Sequence, residues 1–249
     1  MPFMWVKHFL PASLRGLLRA RHLRIRRQWI RATGVDFGRM RRMTPISRVF
    51  GLDRGRPIDR YYIERFLHRH AADIRGRVLE IGDDRYIRQF GGDRVAQADV
   101  LHYVDGNPKA TIVDDLTRAE QIPAETFDCI ICTQTLQMIY DAPAAFRQLH
   151  RILKPGGVLL ATAHGTSRIC RREGTDDWGE YWRFTSQSLT RMAAEPFGRD
   201  NVLATPYGNV FAAIAFLHGL ATEELTQEEL DTLDPDYEVL LSLRAVKAK

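Results

Sequence analysis

Residue types that could do chemistry fall at the ends of short apolar runs. Glu80 closes Gly76-Arg77-Val78-Leu79 and is followed by Ile81 and Gly82; Asp99 follows Arg94 to Ala98; Asp114 and Asp115 follow Ala110 to Val113; Thr133 follows Phe127 to Cys132. An acid at the tip of a buried parallel strand, followed by a tight turn into a helix, places a carboxylate and backbone N–H groups around one small charged ligand. Gly82 lets backbone approach that ligand where a Cβ would obstruct it. Asp83 and Asp84 stand where a pyrophosphate would meet glycine N–H groups, which disfavours a dinucleotide and suits a cation. His164 follows the run Gly157 to Thr162 and is the candidate general base, with Glu180 second. Trp178, Tyr181 and Trp182 could stack on a sugar or aryl ring or pack against the next helix, and Arg183 could hold a carboxylate or phosphate.

The elements that must position these residues alternate between short β-rich runs and helical spacing, the pattern of an α/β fold whose parallel sheet is covered on both faces. Strands are expected at Arg77 to Ile81, Arg94 to Ala98, Ala110 to Val113, Phe127 to Cys132 and Gly157 to Thr162, with two more near Asn201 to Thr205 and Glu238 to Val246. Helices are expected at Ile58 to His70, Pro143 to Leu153, Thr185 to Ala194 and Val210 to Leu220. Cys129 and Cys132 fall within one strand on opposite faces, so they cannot form a redox pair and serve packing.

The 249-residue chain carries a formal charge of +5, unevenly spread: residues 1–45 hold eleven Lys or Arg against one Asp, and the remainder is −5. Leu10, Leu14, Leu17, Leu18, Ile25 and Trp29 line one side of a basic amphipathic helix, which predicts an arm at 1–57 ahead of a domain at 58–249. Residues 10–33 could pack on the domain or a second subunit, lie on an anionic membrane face, or bind nucleic acid, the last being the least favoured. No apolar run is long enough to span a bilayer and the N-terminus makes a poor secretory signal, so a cytoplasmic protein is expected, possible contact with the inner membrane face included. No metal-ligand spacing is present.

The ordered set Glu80-Ile81-Gly82, Asp99, Asp115-Leu116, Phe127-Asp128-Cys129-Ile130-Ile131-Cys132-Thr133 and Leu149 to Leu160 resembles the class I, Rossmann-like methyltransferases that use S-adenosylmethionine (SAM), in particular the type 11-like members. The resemblance implies a three-layer sandwich around a mostly parallel seven-stranded sheet with the last strand antiparallel, and SAM as cofactor. It implies that Glu80 and Gly82 receive the amino-acid part, Asp99 the ribose hydroxyls, Asp115 and Leu116 the adenine, and Thr133 the meeting point of cofactor and acceptor. Only the acid and first glycine of the family's glycine-rich turn are present, since Asp83-Asp84-Arg85-Tyr86 replace the rest. The Tyr181-Trp182-Arg183-Phe184-Thr185 run and Asp53 to Tyr62 are similar to bacterial members associated with surface polysaccharide synthesis. The fourth strand lacks the acid-Pro-Pro-aromatic motif of enzymes that methylate nucleic-acid bases, so the expected acceptor is a small molecule or glycan, methylated at oxygen, with carboxylate esterification or a non-catalytic scaffold as alternatives.

Overall fold

A computed structural model describes residues 17, 18, 20–25, 38, 41–170 and 179–249. The chain divides into a unit at Met1–Thr44 and a unit at Pro45–Lys249. In the first, residues 17, 18 and 20–25 are helical, and Leu17, Leu18, Leu23 and Ile25 are half or more exposed. Leu10, Leu14 and Trp29 of the expected apolar stripe lie outside the described residues.

The second unit is built on seven strands: β1 (Gly76–Ile81), β2 (Val95–His102), β3 (Ile112–Val113), β4 (Phe127–Thr133), β5 (Leu153–His164), β6 (Val202–Tyr207) and β7 (Leu240–Val246). Their order across the sheet is β3-β2-β1-β4-β5-β7-β6, and β7 alone runs antiparallel to its neighbours. The expected three-layer α/β architecture is therefore the observed one, with the order reversing between β1 and β4, where open α/β sheets form a ligand crevice at the strands' carboxyl ends.

Five helices cover the sheet: α1 (Ile58–Arg69), α2 (Ala142–Ile152), α3 (Ser186–Phe197), α4 (Val210–His218) and the short α5 (Gln227–Asp231). Successive strand residues face opposite ways. Leu79, Ile130, Cys132, Leu159 and Ala161 accordingly pack with α2 and α3 on one face, whereas Val78, Cys129, Ile131, Val158 and Leu160 pack with α1 and α4 on the other. The two cysteines thus lie in different cores, and burial pushes the Cys132 thiol up to about 12. Helix α1 buries Ile58, Tyr62, Ile63, Phe66 and Leu67 at one-turn spacing, each fully buried apolar side chain contributing about 1.5–3 kcal/mol. The helix ends follow local chemistry: Asp141 Oδ1 accepts from Ala144 N at 2.9 Å, Thr185 and Ser188 form a reciprocal capping box, and Gly219 ends α4 at φ +71°.

Two departures from the expected boundaries bear on the site, and β5 also starts at Leu153 rather than Gly157. The segment from Pro45 to Pro57, read as part of the arm, belongs to the sheet-bearing unit: Ile46 and Ser47 N–H groups donate to His218 O, and Pro57 forms an isolated bridge with Ala221. Strand β2 continues four residues beyond Ala98, to His102, because Val100 and Leu101 still pair with Glu80 and Ile81. Asp99 is therefore a mid-strand residue.

Candidate functional site

At the tip of β1, Glu80 is 2% exposed, and its two carboxylate oxygens accept from Tyr86 N at 3.1 Å and Ile87 N at 2.8 Å. The acid thus organises the turn that follows it. Burial pushes its carboxyl up to about 7, against the pull of those two N–H groups. Gly82 adopts φ +89°, and a Cβ there would meet nothing within 4 Å, so backbone is bare toward open space. Asn107 Nδ2 donates to Gly82 O at 2.8 Å, and Lys109 Nζ sits 2.7 Å from Asp83 and 3.2 Å from Asp84. The chain after β2 is thereby tied over the turn after β1, and Lys109 offsets the two extra carboxylates.

The expected ribose acid is displaced. Asp99 is 5% exposed and spends its carboxylate on Arg77 Nε at 2.8 Å, Gln97 Nε2 at 3.2 Å and Thr111 Oγ1 at 3.2 Å. It pairs in register with Leu79, three residues and roughly 10 Å before the end of β2, too low in the sheet to face a ligand at the edge. The acid that follows the true end of β2 is Asp105, which is exposed and whose Oδ1 accepts from Gly106 N at 2.9 Å. Its signal in the sequence is the Asp-Gly turn after Val100 to Val104.

After β3, Asp115 Oδ1 accepts from Thr117 N at 2.9 Å and Thr117 Oγ1 at 2.8 Å, so it caps a turn at the sheet edge, while Leu116 is buried in the α2–α3 core. Asp114 accepts from Asp115 N and from Gln121 N, each at 2.8 Å, so both acids are engaged within the turn. At the tip of β4, Thr133 pairs with Thr162, and Gln134 takes φ +51°, a left-handed conformation uncommon for a side-chain-bearing residue. Gln134 Nε2 is buried without a partner, as is the Oε1 of the fully buried Gln137.

His164 ends β5 at 4% exposure, its ring 6.5 Å from Phe50 and 6.0 Å from Phe216. Its Nδ1 lies 3.6 Å from Glu180 Oε1 and its Nε2 3.9 Å from Asp59 Oδ2, ionic contacts rather than hydrogen bonds. Burial favours the neutral ring, but the two carboxylates outweigh it and His164 titrates above its ordinary value. The two expected acid–base residues are thus brought together. Glu180 is itself buried, yet the His164 ring, Cys170 N–H and Arg183 keep its carboxyl below the usual range.

Arg183 does not present a free fork to a ligand. It donates to Glu180 Oε1 at 2.6 Å, to Trp182 O at 3.0 Å and to Arg168 O at 2.9 Å, so it staples the segment before α3 to the chain after β5. Trp182 Nε1 donates to Ile139 O at 3.0 Å and Tyr140 O at 3.1 Å, and its ring packs on the α2–α3 core; this aromatic is a packing residue. Tyr181 is 55% exposed, meets Tyr140 edge-on at 5.3 Å, and lays the hydroxyl end of its ring over Gly179. Trp178 lies outside the described residues.

The bare turn at Gly82, the exposed Asp105, the capped Asp115 and the tip of β4 all lie just beyond the carboxyl ends of β1, β2, β3 and β4, the edge at which an extended nucleoside with a cationic end could be held. Among the described residues no group of three or more His, Cys, Asp or Glu is arranged to hold a metal.

A family model described as a methyltransferase domain matches residues 18–199. Among curated proteins, the ubiquinone/menaquinone biosynthesis C-methyltransferase UbiE of Haemophilus ducreyi is 33% identical over 36% of this chain and 29% of its own length. The UbiE of Enterobacter sp. is 26% identical over 59% of this chain and 61% of its own length, so the match spans less than two thirds of these relatives. Among solved structures, phosphoethanolamine N-methyltransferase 2 of Haemonchus contortus, in complex with phosphomonomethylethanolamine and S-adenosylhomocysteine, superposes with a TM-score of 0.51 at 17% identity, covering 76% of this chain and 53% of that one. A SAM-dependent methyltransferase from Archaeoglobus fulgidus gives a TM-score of 0.51 at 11% identity, covering 76% of this chain and 94% of that one. These two likenesses are to the fold.

Proposed function

The chain belongs to the methyltransferase-domain family, and from that premise we propose that it methylates a hydroxyl-bearing small molecule or glycan at oxygen, with His164 as the proton acceptor. The observation that carries this reading is the meeting of His164 and Glu180 at the end of β5, beside the paired tips Thr133 and Thr162, on the same sheet edge as the bare Gly82 turn. Gly82, Asp105, Asp115, Leu116 and Thr133 would hold the cofactor, and Glu80 keeps the first turn in shape to receive it.

When bound, SAM would supply an electrophilic methyl group to the acceptor oxygen, with S-adenosylhomocysteine as the product. The chain's own work is to hold the acceptor in line, exclude water and receive the hydroxyl proton. Glu180 beside Nδ1 stabilises the imidazolium that forms when His164 takes that proton at Nε2, whose 3.9 Å contact with Asp59 is too long for a hydrogen bond and leaves the lone pair for the acceptor. The proton then passes to solvent.

A second reading is methylation at carbon, favoured by the UbiE relatives and requiring the same proton acceptor because a ring carbon also loses a proton. Ester formation loses its expected anchor, since Arg183 is engaged within the chain. The exposed Leu17, Leu18, Leu23 and Ile25, beside arginines, support peripheral contact with an anionic bilayer, which co-sedimentation with anionic and neutral vesicles tests; equal absence from both pellets removes it.

Isothermal titration with S-adenosylhomocysteine tests the cofactor, and failure of folded protein to bind it overturns the whole reading. Incubating a panel of phenols and glycosides with methyl-13C SAM and recording the carbon spectrum then separates oxygen-bound from carbon-bound methyl.

A further inference from the structure

Asp59 lies in the first turn of α1, 7% exposed, with Oδ1 buried and unpartnered and Oδ2 turned to His164. A buried carboxylate without hydrogen-bond donors is costly unless a charge stabilises it. The charged groups around the pair are Asp59 and Arg60 on α1, Glu180 and Arg183 ahead of α3, and Arg168, whose guanidinium lies 3.9 Å from the Phe50 ring centre. Arg60 turns to the Tyr86 hydroxyl at 2.9 Å, Arg183 is spent on Glu180 and backbone carbonyls, and Arg168 Nη1 donates to Ile169 O at 3.2 Å. Helix α4 places Phe216 beside the ring, and strand β7 pairs Leu240 with His164. Among the described residues, His164 is thus the cation placed to answer the Oδ2 of Asp59.

We propose that Asp59 is a positioning residue for the reaction: with Glu180 it forms a carboxylate–imidazole–carboxylate bridge that orients His164 and joins α1 to the segment before α3 across the tip of β5. This rests on the methyltransferase reading for its purpose but not for its existence. The bridge explains two buried ring nitrogens without a hydrogen-bond partner, since each faces an acid instead. It also explains an acid in a helix turn that buries its neighbours Ile58 and Tyr62. With one carboxylate on each side, the plane of the ring is fixed, and the longer contact, at Nε2, is the one an acceptor hydroxyl would displace.

The test is the titration of the His164 ring in 15N-labelled protein, assigned with H164Q, in wild type, D59N and D59E. An opposite charge within about 4–6 Å moves a pKa by roughly 1–3 units. The expected result is a wild-type midpoint above 6.5, a fall of about one unit or more in D59N and recovery in D59E. The alkaline-rising limb of the methylation rate should move to lower pH in D59N in step with the ring. An unchanged ring midpoint in D59N overturns the proposal. Should D59N fail to fold, the wild-type titration decides: a midpoint at or below 6.5 refutes the bridge, and one above it supports it. S-adenosylhomocysteine binding, measured separately, distinguishes loss of the bridge from failure of the methyltransferase reading.

Discussion

Replacing Glu80 by glutamine should make the protein's stability less sensitive to pH. In the folded chain burial raises the Glu80 carboxyl from its ordinary 4.5 to about 7, so the folded state binds the proton more tightly than the unfolded state. The stabilisation that this proton brings is complete below pH 4.5 and is lost as pH rises through about 7. Across that window the shift corresponds to about 3 kcal/mol, of which about 2–3 kcal/mol falls between pH 5 and pH 8. Glutamine carries no titrating proton and keeps one acceptor for Ile87 or Tyr86, so against the neutral carboxyl present at pH 5 E80Q loses one hydrogen bond worth about 0.5–1.5 kcal/mol, and the pH term with it. Urea denaturation of both proteins at pH 5 and pH 8 reads the difference: E80Q should be clearly less stable than wild type at pH 5 and recover about 2–3 kcal/mol relative to it by pH 8. A stability difference that is the same at both pH values would refute the argument, because it would mean that Glu80 ionises in the fold as it does in water. The same linkage predicts that the cationic ligand binds more tightly as pH passes 7 in wild type but not in E80Q.

Three further outcomes follow from the site. D105A should weaken S-adenosylhomocysteine binding by about 10–100-fold in calorimetry, whereas D99N should leave that affinity nearly unchanged and lower the thermal midpoint by removing the Arg77 pair. G82A should cost about 1–2 kcal/mol of stability for a side chain at φ +89° and reduce ligand affinity further by filling the bare turn; equal affinity for wild type and variant would move the ligand away from β1. G165A drives a Cβ into Glu238 O and should destabilise by about 1–3 kcal/mol in urea, slowing methyl transfer through displacement of His164 next to it.

Much of the scaffold was legible because its signals are local. Alternation of strand faces placed Cys129 and Cys132 in separate cores, Pro143 marked the start of α2, and β4, α1 and α4 start where their apolar spacing starts. Asp105 was missed because the end of a strand is set by its partner: β2 runs on to His102 since β1 continues to pair with it. Trp182 and Arg183 looked available for a ligand, but the carbonyls of Ile139, Tyr140 and Arg168 that engage them come from other segments.

The sequence by itself determined the alternating α/β plan, the cation-favouring acids after β1 and the candidacy of His164 and Glu180, because periodicity, turn chemistry and residue type act over a few residues. Only the tertiary structure decided which acids reach the sheet edge and that Asp59, 105 positions before His164, closes on it. Register and helix packing convert residues distant along the chain into neighbours, and no local spacing encodes that distance.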